Sequence, residues 1–199
     1  MSMTTKLIFA TNNKHKLREA TILSNGCFPI LSLEDIDYDL GEIPEDFETL
    51  EENALQKVHF IADKFNVNCF SDDTGLEVEA LGGAPGVYSA RYAGKNCSFQ
   101  QNIDKLLDKL KNEKNRNARF RTVIALILNG EEYLFEGVVN GKITTQNKGT
   151  GGFGYDPIFI PDNYSQTFAE LPLEEKNKIS HRGLALQKLF NFLMKDYQK

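Results

Sequence analysis

An α/β fold built on a mixed sheet is what this 199-residue sequence predicts, and three features carry the prediction. Short apolar runs suited to buried strands alternate with segments of helical periodicity. Two of the helical segments open on capping boxes. An Asn-Gly pair joins two long strand-like runs into a hairpin, so antiparallel pairing accompanies the strand–helix alternation and the sheet is not purely parallel. Apolar residues make up 41% of the chain and aromatics 11%, enough to fill a core at a length that suits one domain, or one domain folded as two lobes with a cleft between them. No repeat, linker or low-complexity tract interrupts residues 1–199, which are expected to form a single domain.

The elements follow in order. Leu7 to Ala10 is a short strand, and after a polar turn Lys14 to Leu23 places Leu17, Ala20 and Leu23 at helical spacing. Thr49-Leu50-Glu51-Glu52 is a capping box, and Ala54, Leu55, Val58, Ile61, Ala62 and Phe65 continue it as an amphipathic helix over 50–65. Val67 to Ser71 reads as a strand ending at Asp72-Asp73, ahead of a glycine-rich loop at 82–86. Ser98 and Gln101 form the second capping box, opening a helix that carries Ile103, Leu106, Leu107 and Leu110. Arg119 to Leu128 and Glu131 to Val139 flank Asn129-Gly130, whose tolerance of positive φ makes a tight hairpin. Tyr155 to Ile160 is a strand entered through the glycines of 149–154, and Ser180 is expected to cap a last helix bearing Leu184, Leu189 and Leu193.

Composition excludes several functions. Lys and Arg number 23 against 28 Asp and Glu, a net charge of -5, which argues against sequence-independent binding to a nucleic-acid backbone. Cys27, Cys69 and Cys97 contain no CxxC pair, so neither a disulfide framework nor a zinc knuckle is expected, and reduced thiols suit the cytoplasm. The amino-terminal apolar stretch is too short for a signal peptide and Val123 to Leu128 too short to span a bilayer, so no membrane partner is expected.

Charge placement points to an anion. A helix amino terminus carries partial positive charge and ordinarily favours acids. Here one predicted helix opens with Asn12-Asn13-Lys14-His15-Lys16 and another with Ser180-His181-Arg182-Gly183. Each alone suits a solvated first turn; together they favour a bound anion such as phosphate on free backbone N–H groups. Asp72-Asp73 at a strand end, with Glu45, Asp46, Glu48, Glu51 and Glu52 near a helix start, offer the oxygen ligands that Mg2+ takes beside substrate phosphates.

Other patterns are set aside. Asp73-Thr74-Gly75 matches the aspartic-protease triplet, but Leu76-Glu77-Val78-Glu79 is the wrong sequel. Gly149-x-Gly151-x-x-Gly154 matches a dinucleotide fingerprint, yet Asp156-Pro157 forbids the helix that fingerprint must open. Those glycines still let a ligand approach closely, and Phe153 and Tyr155 around Gly154 suit stacking on a flat ring, core packing being the alternative. The basic stretch from Lys105 to Arg121 reads as a solvated face, and neither His15 nor His59 has metal-ligand spacing. A nucleotide-binding regulatory module without catalysis remains the alternative to an enzyme.

Five motifs stand in order along nearly the whole chain: Thr11-x-Asn13-x-x-Lys16-x-x-Glu19, Ser71 to Leu76, Gly82 to Arg91, Gly151 to Phe159, and Ser180-His181-Arg182-Gly183. Together they resemble the inosine/xanthosine triphosphate pyrophosphatase family. The resemblance implies an elongated, two-lobed α/β fold around a central mixed sheet, a cleft active site, a homodimer, and Mg2+-dependent hydrolysis of ITP, dITP and XTP to monophosphate and pyrophosphate. It implies a triphosphate loop of Thr11, Asn12, Asn13, Lys14, His15 and Lys16. Asp73 would be general base and metal ligand, with Thr74 beside the substrate. Phe153, Gly154, Tyr155 and Asp156 would hold the base, and Lys176, His181 and Arg182 would complete the pocket. Glu45 best matches the second metal carboxylate, with Glu48 as its substitute. Ser71, and Asn147-Lys148 before the glycine loop, depart from the family pattern without touching these groups.

Overall fold

The fold is described from a computed structural model covering residues 6–36, 41 and 43–196. Leu7, Ile8 and Phe9 are almost wholly buried and form β1 (Leu7–Phe9). It pairs in parallel with β2 (Ile30–Leu31) and with β3 (Cys69–Val78). The two-residue strand β4 (Pro85–Gly86) runs antiparallel to β3. β5 (Asn117–Leu128) and β6 (Glu131–Ile143) follow, and β7 (Phe159–Pro161) is antiparallel to β6. The order is β2-β1-β3-β5-β6-β7, with β4 paired to β3. The sheet is therefore mixed, as the sequence predicts. At its hairpin Asn129 and Gly130 take φ of 53° and 87°, the paired left-handed conformations that an Asn-Gly turn supplies.

Five helices lie among the described residues: α1 (Lys14–Ser24), α2 (Leu50–Phe65), α3 (Phe99–Lys109), α4 (Leu173–Ile179) and α5 (His181–Asp196). None is long and apolar enough to cross a membrane. The box predicted at Ser98 and Gln101 is complete. At α2 the box is half made. Thr49 Oγ1 accepts the Glu52 N–H, but the Glu52 carboxylate takes the Thr49 hydroxyl instead of a backbone N–H.

Three elements depart from expectation. β3 does not stop before the aspartates; it runs through Asp72 and Asp73 to Val78, because both carboxylates are buried against cations and Thr74-Gly75 is extended instead of turning. A Cβ at Gly75 would stand 2.7 Å from the Gly86 carbonyl oxygen, so this glycine serves the close approach of β4. Tyr155 to Ile158 is a tight turn and not strand, since Pro157 fixes φ and lacks a donor; β7 begins only at Phe159. α4 was not expected, and it places Lys176 and Asn177 in the interior.

The chain divides into two compact units. The first comprises Met1–Asp73, Thr122–Gly137 and Arg182–Lys199, the second Thr74–Arg121 and Val138–His181. β3, β5 and β6 pass through both. Each unit has its own core. In the first, Phe9 stacks on Phe70 at 4.3 Å among Leu7, Ile124, Leu126, Leu186 and Leu189. In the second, Phe120, Phe159 and Phe168 pack with Ile103, Leu106 and Ile158.

Candidate functional site

The first unit buries an unusual density of charge. Asp73 on β3 is 7% exposed, and its Oδ1 lies 3.1 Å from the Lys57 ammonium of α2. The same ammonium donates to Glu45 Oε1, so two carboxylates converge on one cation. Asp73 Oδ2 accepts a bond from the Asn53 amide at 3.4 Å. Burial raises the Asp73 pKa above the usual aspartate value, against the lowering pull of Lys57 and Lys16. For Lys57 burial acts downward, but the Asp73 and Glu45 carboxylates outweigh it and the pKa is raised.

Asp72 points to other partners. Its Oδ1 lies 2.9 Å from Lys16 Nζ, and its Oδ2 accepts from Arg182 Nε at 2.9 Å. Arg182 Nη1 in turn donates to Glu19 at 2.7 Å. Burial alone would raise the Asp72 pKa, yet Lys16 and Arg182 hold it well below the carboxylate range. The two basic helix starts singled out in the sequence do meet, at this aspartate. The anion they call for is thus in part a protein carboxylate. Likewise the α1 start commits its first N–H groups to its own cap: Asn13 Oδ1 accepts from His15 N at 2.9 Å and Lys16 N at 3.3 Å, while Thr11 Oγ1 accepts from Asn13 N. An anion here would rest on the Lys16 side chain more than on free backbone donors. Asn12, Lys14 and His15 are exposed, Asn12 donating to the Gly41 carbonyl.

Lys16, Lys57 and Arg182 balance Glu19, Glu45, Asp72 and Asp73, three cations against four carboxylates. A triphosphate added to this cluster needs further positive charge. Glu45 and Asp73 fit a hard divalent ion: both offer only oxygen, and their convergence on the Lys57 ammonium marks a point that favours a cation. Among the described residues no three His, Cys, Asp or Glu side chains gather into a metal cage, so such an ion would draw its other ligands from water and substrate. Glu48, the alternative in the sequence, is exposed.

In the second unit Asp156 organises the glycine loop. Its Oδ2 accepts the Phe153 N–H at 2.8 Å and the Lys176 ammonium at 2.7 Å, with Asp156 and Lys176 3% and 2% exposed. Gly152 has φ +70°, and a Cβ there would stand 2.1 Å from Asp156 Oδ2, so glycine is required. Lys176 Nζ lies 5.0 Å from the centre of the half-buried Phe153 ring, a cation–π distance. Tyr155 is otherwise placed. Its ring is in the core and its hydroxyl donates to the Ser89 carbonyl at 2.9 Å, so of the two rings Phe153, tilted against Phe99 at 6.1 Å, is the more exposed. His181 is 4% exposed and stacks on Phe120 at 4.4 Å. Thr74 follows Asp73 along β3 and is partly buried; Gly154 takes φ +62°.

Sequence reasoning missed Lys57 and Asn53. A signal was present. The buried face of α2 is Leu50, Asn53, Ala54, Lys57, Val58, Ile61 and Ala62, so an amide and an ammonium interrupt an otherwise apolar stripe, and buried polar groups need partners.

Comparison with known proteins gives a consistent picture. The Ham1 family model matches residues 7–192. A dITP/XTP pyrophosphatase of Flavobacterium johnsoniae is 53% identical over 188 residues, 94% of this chain and 97% of that protein. One from Porphyromonas gingivalis is 50% identical over 95% of this chain and 97% of its own. Among solved structures, a HAM1 protein from Coxiella burnetii is similar with a TM-score of 0.88 at 36% identity, covering 96% of this chain and 99% of that one. The Staphylococcus aureus Ham1 protein has a TM-score of 0.86 at 39% identity, covering 96% and 100%.

Proposed function

Because this chain belongs to the Ham1 family, we infer that it is a nucleoside triphosphate pyrophosphatase that converts dITP, ITP and XTP to the monophosphate and pyrophosphate. Removing such nucleotides keeps them out of DNA and RNA. The observation that carries the chemistry is Asp73, a buried carboxylate with a raised pKa, held on one oxygen by Lys57. In this reading Asp73 takes a proton from water as the water oxygen bonds to the α-phosphorus. The bond from that phosphorus to the α–β bridging oxygen breaks, and pyrophosphate departs with the electron pair. Lys16 receives the phosphates, its ammonium oriented by Asp72. Glu45 and Asp73 would hold Mg2+, which when bound neutralises charge on the phosphates and leaving group. Position and a prepared field supply the rest.

The purine falls to Phe153, on which it stacks beside the Gly154 backbone, and to the buried Lys176 donor that Asp156 holds in place. Tyr155 supports that loop from the core, Thr74 stands beside the substrate next to Asp73, and His181 and Arg182 act from the interior, His181 on Phe120 and Arg182 by holding Asp72. An ammonium offers a hydrogen to a 6-keto oxygen but not to the 6-amino group of adenine, which presents donors of its own. Thr11, Asn12, Asn13, Lys14 and His15 shape the phosphate loop. The resemblance carried by the sequence motifs implies a homodimer, for which light scattering would give twice the 22.5 kDa chain mass.

The test is a panel of dITP, ITP, XTP, dATP and dGTP incubated with protein and Mg2+. Monophosphate and pyrophosphate from the first three are expected. Diphosphate and orthophosphate as products, or saturable binding with no product, would overturn the reading.

A further inference from the structure

Asn53 occupies the apolar stripe of α2 and is 1% exposed. Its carboxamide accepts the Phe47 N–H at 2.9 Å, donates to the Phe47 carbonyl at 3.1 Å, and donates to Asp73 Oδ2 at 3.4 Å. The first two bonds clamp the backbone two residues from Glu45. The third reaches the oxygen of Asp73 opposite the one that Lys57 holds. A side chain must donate and accept at once to do this, and a neutral carboxamide does so without adding charge to a crowded site.

A carboxylate tied at one oxygen can still turn about its last torsion, whose profile is broad. A tie at each oxygen removes that freedom. We propose that Asn53 is a positioning residue of the hydrolytic reaction, fixing the Asp73 carboxylate and the Glu45–Phe47 segment in one register so that base and second carboxylate are presented together. The proposal rests on the reading of Asp73 given above. Gln56, one turn along α2, supplies the contrast: it grips the same segment through the Asp46 N–H at 2.9 Å and the Asp46 carboxylate at 2.8 Å, without the bond to Asp73 that Asn53 makes.

The experiment compares wild type, Asp73→Asn, Asn53→Ala and Gln56→Ala in the dITP assay, with Mn2+ affinity of the nucleotide-free protein read by electron paramagnetic resonance. Asn53→Ala should lower kcat by about 10- to 100-fold, as expected for a misplaced base, with KM within twofold. Its Mn2+ affinity should weaken several-fold. Gln56→Ala should weaken Mn2+ binding alike while keeping kcat within threefold. Wild-type kcat in Asn53→Ala, or an equal loss of kcat in Gln56→Ala, would overturn the proposal. Should Asn53→Ala not fold, Asn53→Asp keeps the shape and the Phe47 acceptor but presents no donor to Asp73 when ionised; it should reproduce the kcat loss, and full activity would overturn the proposal. A wild-type protein that releases no pyrophosphate, or an active Asp73→Asn, would instead sink the parent reading.

Discussion

Asp72 ties Lys16 and Arg182 together, and through Arg182 it is linked to Glu19, so this group of four charges depends on it. Breaking a buried pair from one side strands the other charges, and Asp72→Asn should cost about 3–5 kcal/mol at neutral pH, read by denaturant unfolding. The pH dependence has a definite sign. Burial would raise the Asp72 pKa but Lys16 and Arg182 depress it, so its contribution is present above the unfolded-state value, near about 3.9, and is lost as pH falls below that toward the folded-state value. Wild-type stability should fall on acidification below about pH 4, while the Asp72→Asn curve stays flatter there. Asp73 behaves oppositely. Burial raises its pKa against Lys57 and Lys16, so in the protein without Mg2+ or nucleotide its carboxyl should titrate above the ordinary aspartate range, read by NMR; a value at or below that range would contradict it. Asp73→Asn should lower kcat by about 10²- to 10⁴-fold with the fold retained, the range expected for a lost general base.

At the scale of elements, the glycine loop and α2 place the chemistry. Gly152→Ala would press a methyl group against the Asp156 carboxylate, freeing Phe153 and Lys176 from their common anchor. It should raise KM for dITP about tenfold, a cost of about 1.4 kcal/mol in binding, with less effect on kcat; an unchanged KM would show that the loop does not hold the base. The helices at Thr49 and Ser98 and the turn at Asn129-Gly130 were legible because capping and positive φ are local requirements. β3 was not, because its aspartates and Thr-Gly look like a turn until their long-range partners are known. α4 was hidden for a related reason: its seven residues turn Lys176 and Asn177 inward, so they show no apolar stripe from which a helix is read. Asp73, Lys16 and the Phe153 loop stood out from charge placement, glycines and family motifs. Lys57 and Asn53 required noticing that two polar residues fall in the register of a buried stripe.

For the whole molecule, each unit carries an aromatic and aliphatic core of its own. Leu189→Ala in the first core should cost about 2–5 kcal/mol, measured by chemical unfolding, since a fully buried leucine leaves a cavity that its neighbours fill only partly. The sequence conveyed the mixed sheet from local patterns. It could not convey which residues fall to which unit, because that depends on β3, β5 and β6 each running through both. The function proposed for this assembly turns on one event, water attacking the α-phosphorus under the control of Asp73. Hydrolysis of dITP in water enriched in oxygen-18 tests it most directly. The account predicts that the label enters the deoxyinosine monophosphate and that the pyrophosphate is unlabelled; label in the pyrophosphate, with none in the monophosphate, would contradict it.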